Sequence, residues 1–274
     1  AVITKDKAYM WTDGRYFIQA VKELEGTGVT LMKMREEGVP TIDEFLEENL
    51  KENSCLACDG RTISAEQGKA WKVMMDRKNG RFFCKEDLAD SIWEDRPSMS
   101  REPVYLVDVK YVGKAREEKI AMVREAMKES KTDVHILSSI DDIAWLLNIR
   151  GNDIVYNPVV LSYVIVKETK VLFYVQEEAI SEEIRAELEK AGVVLKPYFS
   201  IYDDVKELGT DSRILLDEKV VNYTLFENLP EGAVTVNAMN PTKPAKAMKN
   251  PVEMENARIA HRKDAKAMCR FIYW

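Results

Sequence analysis

The chain has 274 residues, of which 46% are hydrophobic and 32% charged, and its formal net charge is −7. This length is typical of about two domains, and the composition is that of an ordinary globular protein rather than a disordered one. Lys and Arg are interspersed with Asp and Glu, and no apolar run approaches about 18 residues, so the sequence argues against nucleic acid and membrane partners.

Strand and helix patterns alternate over the first ninety residues. Strands are predicted over residues 1–4, 8–12 and 29–34 and near Cys55 and Phe82, and helices over 15–24, 41–50 and 64–78. Thr41 with Glu44 and Ser64 with Gln67 have the spacing of a capping box at the start of a helix. Such alternation is typical of an α/β layer architecture.

A tight Asp13-Gly14 turn places Arg15 at the start of the first of these helices. The guanidinium group of Arg15 carries five donors and could meet a carboxylate or a peptide carbonyl of a ligand. It could equally pair with Asp13 inside its own domain. The residues alone leave both interpretations open.

Cys55 and Cys58 form a lone CxxC pair. A structural zinc site needs four ligands, and besides the other two cysteines only His135 and His261 could supply them. A redox pair would need a strand-to-helix setting, whereas SCLACDG resembles a strand that enters a turn. Buried free thiols are therefore favoured over a metal or redox site.

A segment at residues 93–103 carries two prolines and no hydrophobic period, which indicates a linker. A second alternation follows it. Helices are predicted over 114–130, 181–191, 201–208 and 220–229, and strands over 134–137, 171–175, 193–196, 213–216 and 234–236.

The run from Ser138 to Tyr163, SSIDDIAWLLNIRGNDIVYNPVVLSY, passes from a capped helix through two turns into an apolar strand. Ser138-Ser139 is best explained as a helix N-cap. Asp141-Asp142 lies in the first turn, where carboxylates complement the helix dipole, so capping is favoured over a metal site. Arg150 either holds an anion or buttresses a neighbouring loop, and the second is favoured.

A last helix is predicted from Asn250, with Asn250 as N-cap, Pro251 at the first helical position and Glu253 at the third. No glycine, asparagine or proline stop follows before Trp274. We therefore expect a helix that has been cut at its carboxyl end.

Several motifs together resemble aminopeptidase P, the Xaa-Pro aminopeptidases of the creatinase and prolidase superfamily in their three-domain form. They are WTDGRYFIQA, TLMKM with Gly38-Val-Pro-Thr41, IWEDRP, the Ser138–Tyr163 run and KAMKNPVEMENARIAHRKDA with Met268-Cys-Arg-Phe271. They occur in family order and cover nearly the whole chain.

The resemblance implies an α/β fold with two creatinase N-terminal-type domains, each a mixed β-sheet flanked by helices. The expected limits are 1–97 for domain I, lacking its first strand and helix, 98–249 for domain II, and 250–274 for the first helix of a truncated pita-bread catalytic domain. The resemblance also implies two divalent metal ions, usually manganese, in the full-length enzyme, with all ligands in that missing domain.

These implications predict a non-catalytic N-terminal portion, truncated at both ends and inactive alone, of a metallopeptidase that removes the residue before proline. No cofactor and no catalytic or metal-ligating residue is assigned to this chain. The one functional residue that the resemblance implies is Arg15, as a substrate-binding residue. The expected partners are a proline-containing peptide and the chain's own catalytic domain, with a homodimer allowed. With no signal-peptide layout, a cytoplasmic location is expected. The alternative is a stand-alone creatinase-type binding module without hydrolase activity.

Overall fold

A computed structural model describes all residues, Ala1–Trp274, as two compact units. The first unit comprises Ala1–Ala57 and Ala70–Phe83, and the second comprises Cys58–Lys69 and Cys84–Trp274. The domain limits expected from the sequence, at residues 97 and 249, stay a prediction. None of the helices is both long enough and apolar enough to cross a membrane.

The first unit contains two small sheets and their helices. Its elements are β1 (Val2–Ile3), β2 (Ala8–Thr12), α1 (Phe17–Glu23), β3 (Val29–Lys33), α2 (Ile42–Asn49), β4 (Cys55–Ala57), α3 (Ala65–Arg77, of which Ala70 onward counts here) and β5 (Arg81–Phe83). Strand β2 pairs antiparallel with β1 and parallel with β3, while β4 and β5 pair in parallel. The mixed sheet predicted for this part of the chain is confirmed.

The small core of the first unit lies around Leu46, Met74 and Met75, all of them buried. Helix α2 begins where the sequence predicted, because Thr41 and Glu44 form the full capping box. Phe45 on this helix packs edge-on against Trp11 of β2, with ring centroids 5.2 Å apart. The helix is thereby fixed to the sheet that carries the Asp13-Gly14 turn at its end.

The second unit contains most of the remaining elements. They are β6 (Tyr105–Leu106), α4 (Val109–Val112), α5 (Arg116–Glu129), β7 (Val134–Leu137), α6 (Ile140–Leu147), β8 (Ile149–Arg150), β9 (Tyr163–Lys167), β10 (Val171–Val175), α7 (Glu182–Lys190), β11 (Val193–Pro197), α8 (Ile201–Asp204), β12 (Arg213–Leu216), α9 (Tyr223–Glu227), β13 (Val234–Asn237), α10 (Thr242–Ala247) and α11 (Pro251–Tyr273).

Six of these strands form one mixed sheet in the order β11-β10-β9-β7-β12-β13. Strand β9 is antiparallel to both of its neighbours, and the outer pairs are parallel. All residues of β7 and β10 are buried, because one apolar cluster covers each face of the sheet. Because the sheet is covered on both faces, the sequences of these two strands are nearly continuous apolar runs.

Two predictions about the second unit are wrong in their bounds. The apolar strand expected before Tyr163 is not a strand, since β9 begins at Tyr163 and continues to Lys167. The amide of Leu161 donates instead to the carboxylate of Asp153, at 2.7 Å, which holds this segment as a loop. The helix expected over 201–208 ends at Asp204.

Candidate functional site

Arg15 lies directly after β2, at the turn that the sequence predicted. The Asp13 carboxylate accepts hydrogen bonds from the backbone amide of Arg15 at 3.0 Å, from Nε at 2.9 Å and from Nη2 at 2.8 Å. Arg15 Nη1 has no hydrogen-bond partner, and 80% of the side chain is exposed. The pair with Asp13, left open by the sequence, is therefore present, and it presents a fixed guanidinium to solvent.

The electrostatics of this turn follow from the same pair. The hydrogen bonds from the Arg15 side chain and then from its backbone amide lower the pKa of Asp13 to about 2. The Asp13 carboxylate in turn raises the pKa of Arg15. Both charges therefore persist at any physiological pH, and one edge of the guanidinium remains available for a ligand.

Helix α6 carries the conspicuous acidic pair at its amino end. Ser139 occupies the N-cap position, although its side chain makes no capping hydrogen bond. Asp142 is 2% exposed and forms an ion pair of 2.7 Å with Lys246 of α10, whereas Asp141 is exposed. A buried carboxylate needs such a partner, so the pair fixes α10 against the start of α6.

The carboxyl end of α6 is held by two cations. Lys119 of α5 is 2% exposed, and its Nζ donates to the carbonyl of Trp145 at 2.8 Å and to Asn148 Oδ1 at 2.6 Å. Arg150 Nη1 donates to the carbonyls of Ala144 and Ile149, at 2.9 and 2.7 Å. Cations that satisfy the last carbonyls of a helix also complement its dipole. Arg150 thus has a buttressing role, but at the end of α6 and the start of β8 rather than at the neighbouring loop that the sequence favoured.

Burial shifts the proton affinity of both cations. Desolvation lowers the pKa of Lys119 to about 8, and it also lowers the pKa of Arg150. Lys119 additionally stands over the Trp145 ring, 4.3 Å from its centroid. Nothing in the sequence marked Lys119, because its partners lie 26 and 29 residues further along the chain.

The remaining titratable candidates form no metal or redox centre. His135 is fully buried in β7, where its Nδ1 lies 3.0 Å from the carbonyl oxygen of Leu215, and burial lowers its pKa to about 4. No disulfide forms, but the burial expected for the Cys55/Cys58 pair is wrong at Cys55, which is exposed, while Cys58 is half-buried. Half-burial raises the pKa of Cys58 to about 11, which makes its thiol unreactive at neutral pH.

A metal centre does not fit the residues present. No group of three or more His, Cys, Asp or Glu side chains is arranged to hold an ion.

Comparison with known proteins gives a consistent set of similarities. Residues 95–253, more than half of the chain, match the model of the Creatinase/Prolidase N-terminal domain. The probable Xaa-Pro aminopeptidase P of Laccaria bicolor is 34% identical over 100% of this chain and 43% of its own length, and Xaa-Pro aminopeptidase 1 of Dictyostelium discoideum is 33% identical over 100% and 44%. The chain thus spans just under half the length of these curated relatives.

One solved structure is similar over almost the whole chain. The X-prolyl aminopeptidase of Caenorhabditis elegans, described as a cytosolic enzyme with a di-nuclear active site, has a TM-score of 0.91 and 29% identity. The similarity covers 99% of this chain and 45% of that one.

Proposed function

We propose that this chain, which belongs to the Creatinase/Prolidase N-terminal domain family, is the non-catalytic N-terminal portion of an Xaa-Pro aminopeptidase. The observation that carries the proposal is the match along 100% of this chain to enzymes of that name, of which it spans only 43–44%. The parent enzyme would hydrolyse the bond between an N-terminal residue and a following proline, in the cytoplasm.

The chemistry of the parent would belong to its remaining half. Two divalent metal ions, manganese in our proposal, would there polarise the scissile carbonyl and supply hydroxide at neutral pH. The residues of this chain do not form such a site. Its contribution would be to shape the approach to the catalytic domain and to bind part of the peptide.

Arg15 is the residue that we assign to substrate binding. The Asp13 carboxylate accepts hydrogen bonds from Nε and Nη2 of Arg15 and so fixes the plane of the guanidinium, while Nη1 remains free to donate to a ligand. A donor fixed in this way loses little side-chain entropy when it meets a peptide carbonyl or a carboxylate of the substrate. The pairing with Asp13 therefore supports binding as a positioning contact.

The longer reading frame tests the proposal directly. Downstream coding sequence that supplies two aspartates, a histidine and two glutamates at metal-ligand positions supports it, and a natural stop after Trp274 supports the binding-module alternative. Purified chain with added manganese should not release the first residue of an Xaa-Pro peptide. Turnover by a contaminant-free sample would contradict the assignment.

The role of Arg15 is tested in the full-length enzyme. Arg15→Ala should lower kcat/KM about 10- to 100-fold, the loss expected for one charge-assisted hydrogen bond. Asp13→Asn should produce a smaller loss, because it loosens the guanidinium without removing it. Lys22→Ala, on α1 in the same unit, is the matched control and should leave kcat/KM unchanged. Equal kcat/KM for Arg15→Ala and the control would exclude Arg15 from substrate binding.

A further inference from the structure

The second unit contains a surface cavity of about 510 Å³. It is bounded by α4, α6, α10, the start of α11 and residues 157–159. This volume lies within the roughly 300–1,000 Å³ that is typical of small-molecule sites. None of the residues assigned above to substrate binding lies in it.

Arg150 lines this cavity and has no ion pair. Its Nη1 is used by the carbonyls of Ala144 and Ile149, while Nε and Nη2 have no hydrogen-bond partner. Asp141 and Glu253 act on it only from beyond ion-pair distance. A half-buried guanidinium without a counter-ion carries a desolvation cost that a carboxylate ligand would offset, ideally through a two-pronged contact.

The other charges of the lining are balanced in sign. Lys246 and Lys249 add two cations: Lys246 Nζ is paired with the buried Asp142 at 2.7 Å, whereas Lys249 Nζ contacts only the backbone oxygen of Lys246. Asp141 and Glu253 add two carboxylates that form no ion pair, although Glu253 Oε2 accepts a hydrogen bond from the backbone amide of Asn250 at 3.0 Å. A purely anionic ligand would be repelled by these carboxylates, and a purely cationic one by Arg150 and Lys249.

Apolar surface completes the wall between the charges. Tyr111 and Trp145 line the cavity together with Pro158 and Val159. Tyr111 is about half exposed and Trp145 presents part of a largely buried ring. Aromatic and proline surfaces of this kind favour an apolar side chain or a peptide plane.

From these features we propose that the cavity binds a short unblocked peptide as a zwitterion. Its carboxylate would meet Arg150 and Lys249, its ammonium group would meet Asp141 and Glu253, and its side chains would pack on Tyr111 and Trp145. This site goes beyond the proposed function and does not depend on it. It uses no residue of the metal chemistry or of the Arg15 turn.

Calorimetric titration of the 274-residue chain tests the proposal with four forms of one tripeptide, Ala-Phe-Ala. The forms are free at both ends, acetylated at the amino end, amidated at the carboxyl end, and blocked at both. The free peptide should bind, and each block should weaken binding about tenfold, the value of one charge-assisted contact. No binding of the free peptide at millimolar concentration, or equal affinity for all four forms, would overturn the proposal.

Two variants then assign the ends of the peptide. Lys249→Ala should reduce the affinity for the free peptide about tenfold but leave that for the amidated peptide nearly unchanged. Asp141→Asn should likewise reduce the affinity for the free peptide about tenfold and leave that for the acetylated peptide nearly unchanged. Both residues are exposed, so the fold should persist, as circular dichroism will show, and Lys243→Ala on α10 outside the cavity is the control. Variants that weaken all four forms equally would contradict the assignment.

Discussion

Lys119 offers a direct test of how the second unit is held together. Lys119 is 2% exposed, and its ammonium group donates to the carbonyl of Trp145 and to Asn148 Oδ1, both near the carboxyl end of α6. Burial lowers its pKa from 10.5 to about 8. We expect Lys119→Met, which keeps the length of the side chain and removes its charge, to change how stability depends on pH.

The magnitude follows from the shifted pKa. Because the folded state binds the proton of Lys119 less tightly than the unfolded state, stability from this group rises with pH between about 8 and 10.5. The whole effect is about 3 kcal/mol, of which roughly 2 kcal/mol should develop between pH 7 and pH 9.5. Lys119→Met lacks this gain. At pH 7 this variant leaves the carbonyl of Trp145 and Asn148 Oδ1 without their donor, which destabilises the fold. The absence of a buried charge offsets part of that loss.

Urea unfolding at pH 7 and pH 9.5 measures this difference. The free energy of unfolding of the unaltered chain, relative to that of Lys119→Met, should increase by roughly 2 kcal/mol at the higher pH. Lys128→Met, whose lysine side chain is 69% exposed, is the control and should follow the unaltered chain. If Lys119→Met and the unaltered chain show the same pH dependence, Lys119 does not titrate as a buried group.

Three further substitutions test individual contacts of the second unit. Gly68→Ala should lower the free energy of unfolding by about 1–3 kcal/mol, because the added Cβ would lie 2.2 Å from the Tyr223 ring. Alanine by itself favours a helix over glycine, so increased stability in urea would contradict this prediction. Lys246→Met should cost roughly 3 kcal/mol by leaving the buried carboxylate of Asp142 unpaired, and adding Asp142→Asn should recover much of that loss in the same assay. Asn250→Ala should cost about 1 kcal/mol and speed amide hydrogen exchange at the start of α11, because it removes the cap of α11 and a hydrogen bond of 2.8 Å from Asn250 Nδ2 to the carbonyl of Val112 in α4.

The features that the sequence predicted best are those set by neighbouring residues. Strand β7 occupies the predicted residues 134–137, and α11 begins with Asn250, Pro251 and Glu253 in the predicted capping positions. The Thr41 capping box is also confirmed. In each case a few adjacent side chains supply the hydrogen bonds or the apolar run that the element needs, so no knowledge of tertiary contacts is required.

The predictions that failed depend on contacts distant in sequence. Apolar residues before Tyr163 suggested a strand, but the carboxylate of Asp153 takes the Leu161 amide, and Val159 and Val160 are buried without joining the sheet. The sequence favours buried thiols at Cys55 and Cys58 because SCLACDG resembles a strand that enters a turn, yet the three-residue strand β4 leaves Cys55 exposed. Apolar character alone did not decide between core and surface at these positions.

The Ser138–Tyr163 run shows why its functional interpretation needed the structure. Its two prominent charged features, Asp142 and Arg150, invite readings as metal ligand and anion site. In the fold, Asp142 is neutralised by Lys246, more than a hundred residues later in the chain. Arg150 and Lys119 both donate to carbonyls near the end of α6, for which Arg150 uses Nη1 alone, and Arg150 also lines the cavity. The sequence alternatives for Arg150 are therefore not exclusive: the same side chain that buttresses α6 is left with donors for a carboxylate, which the peptide titration and its Lys249 variant will test.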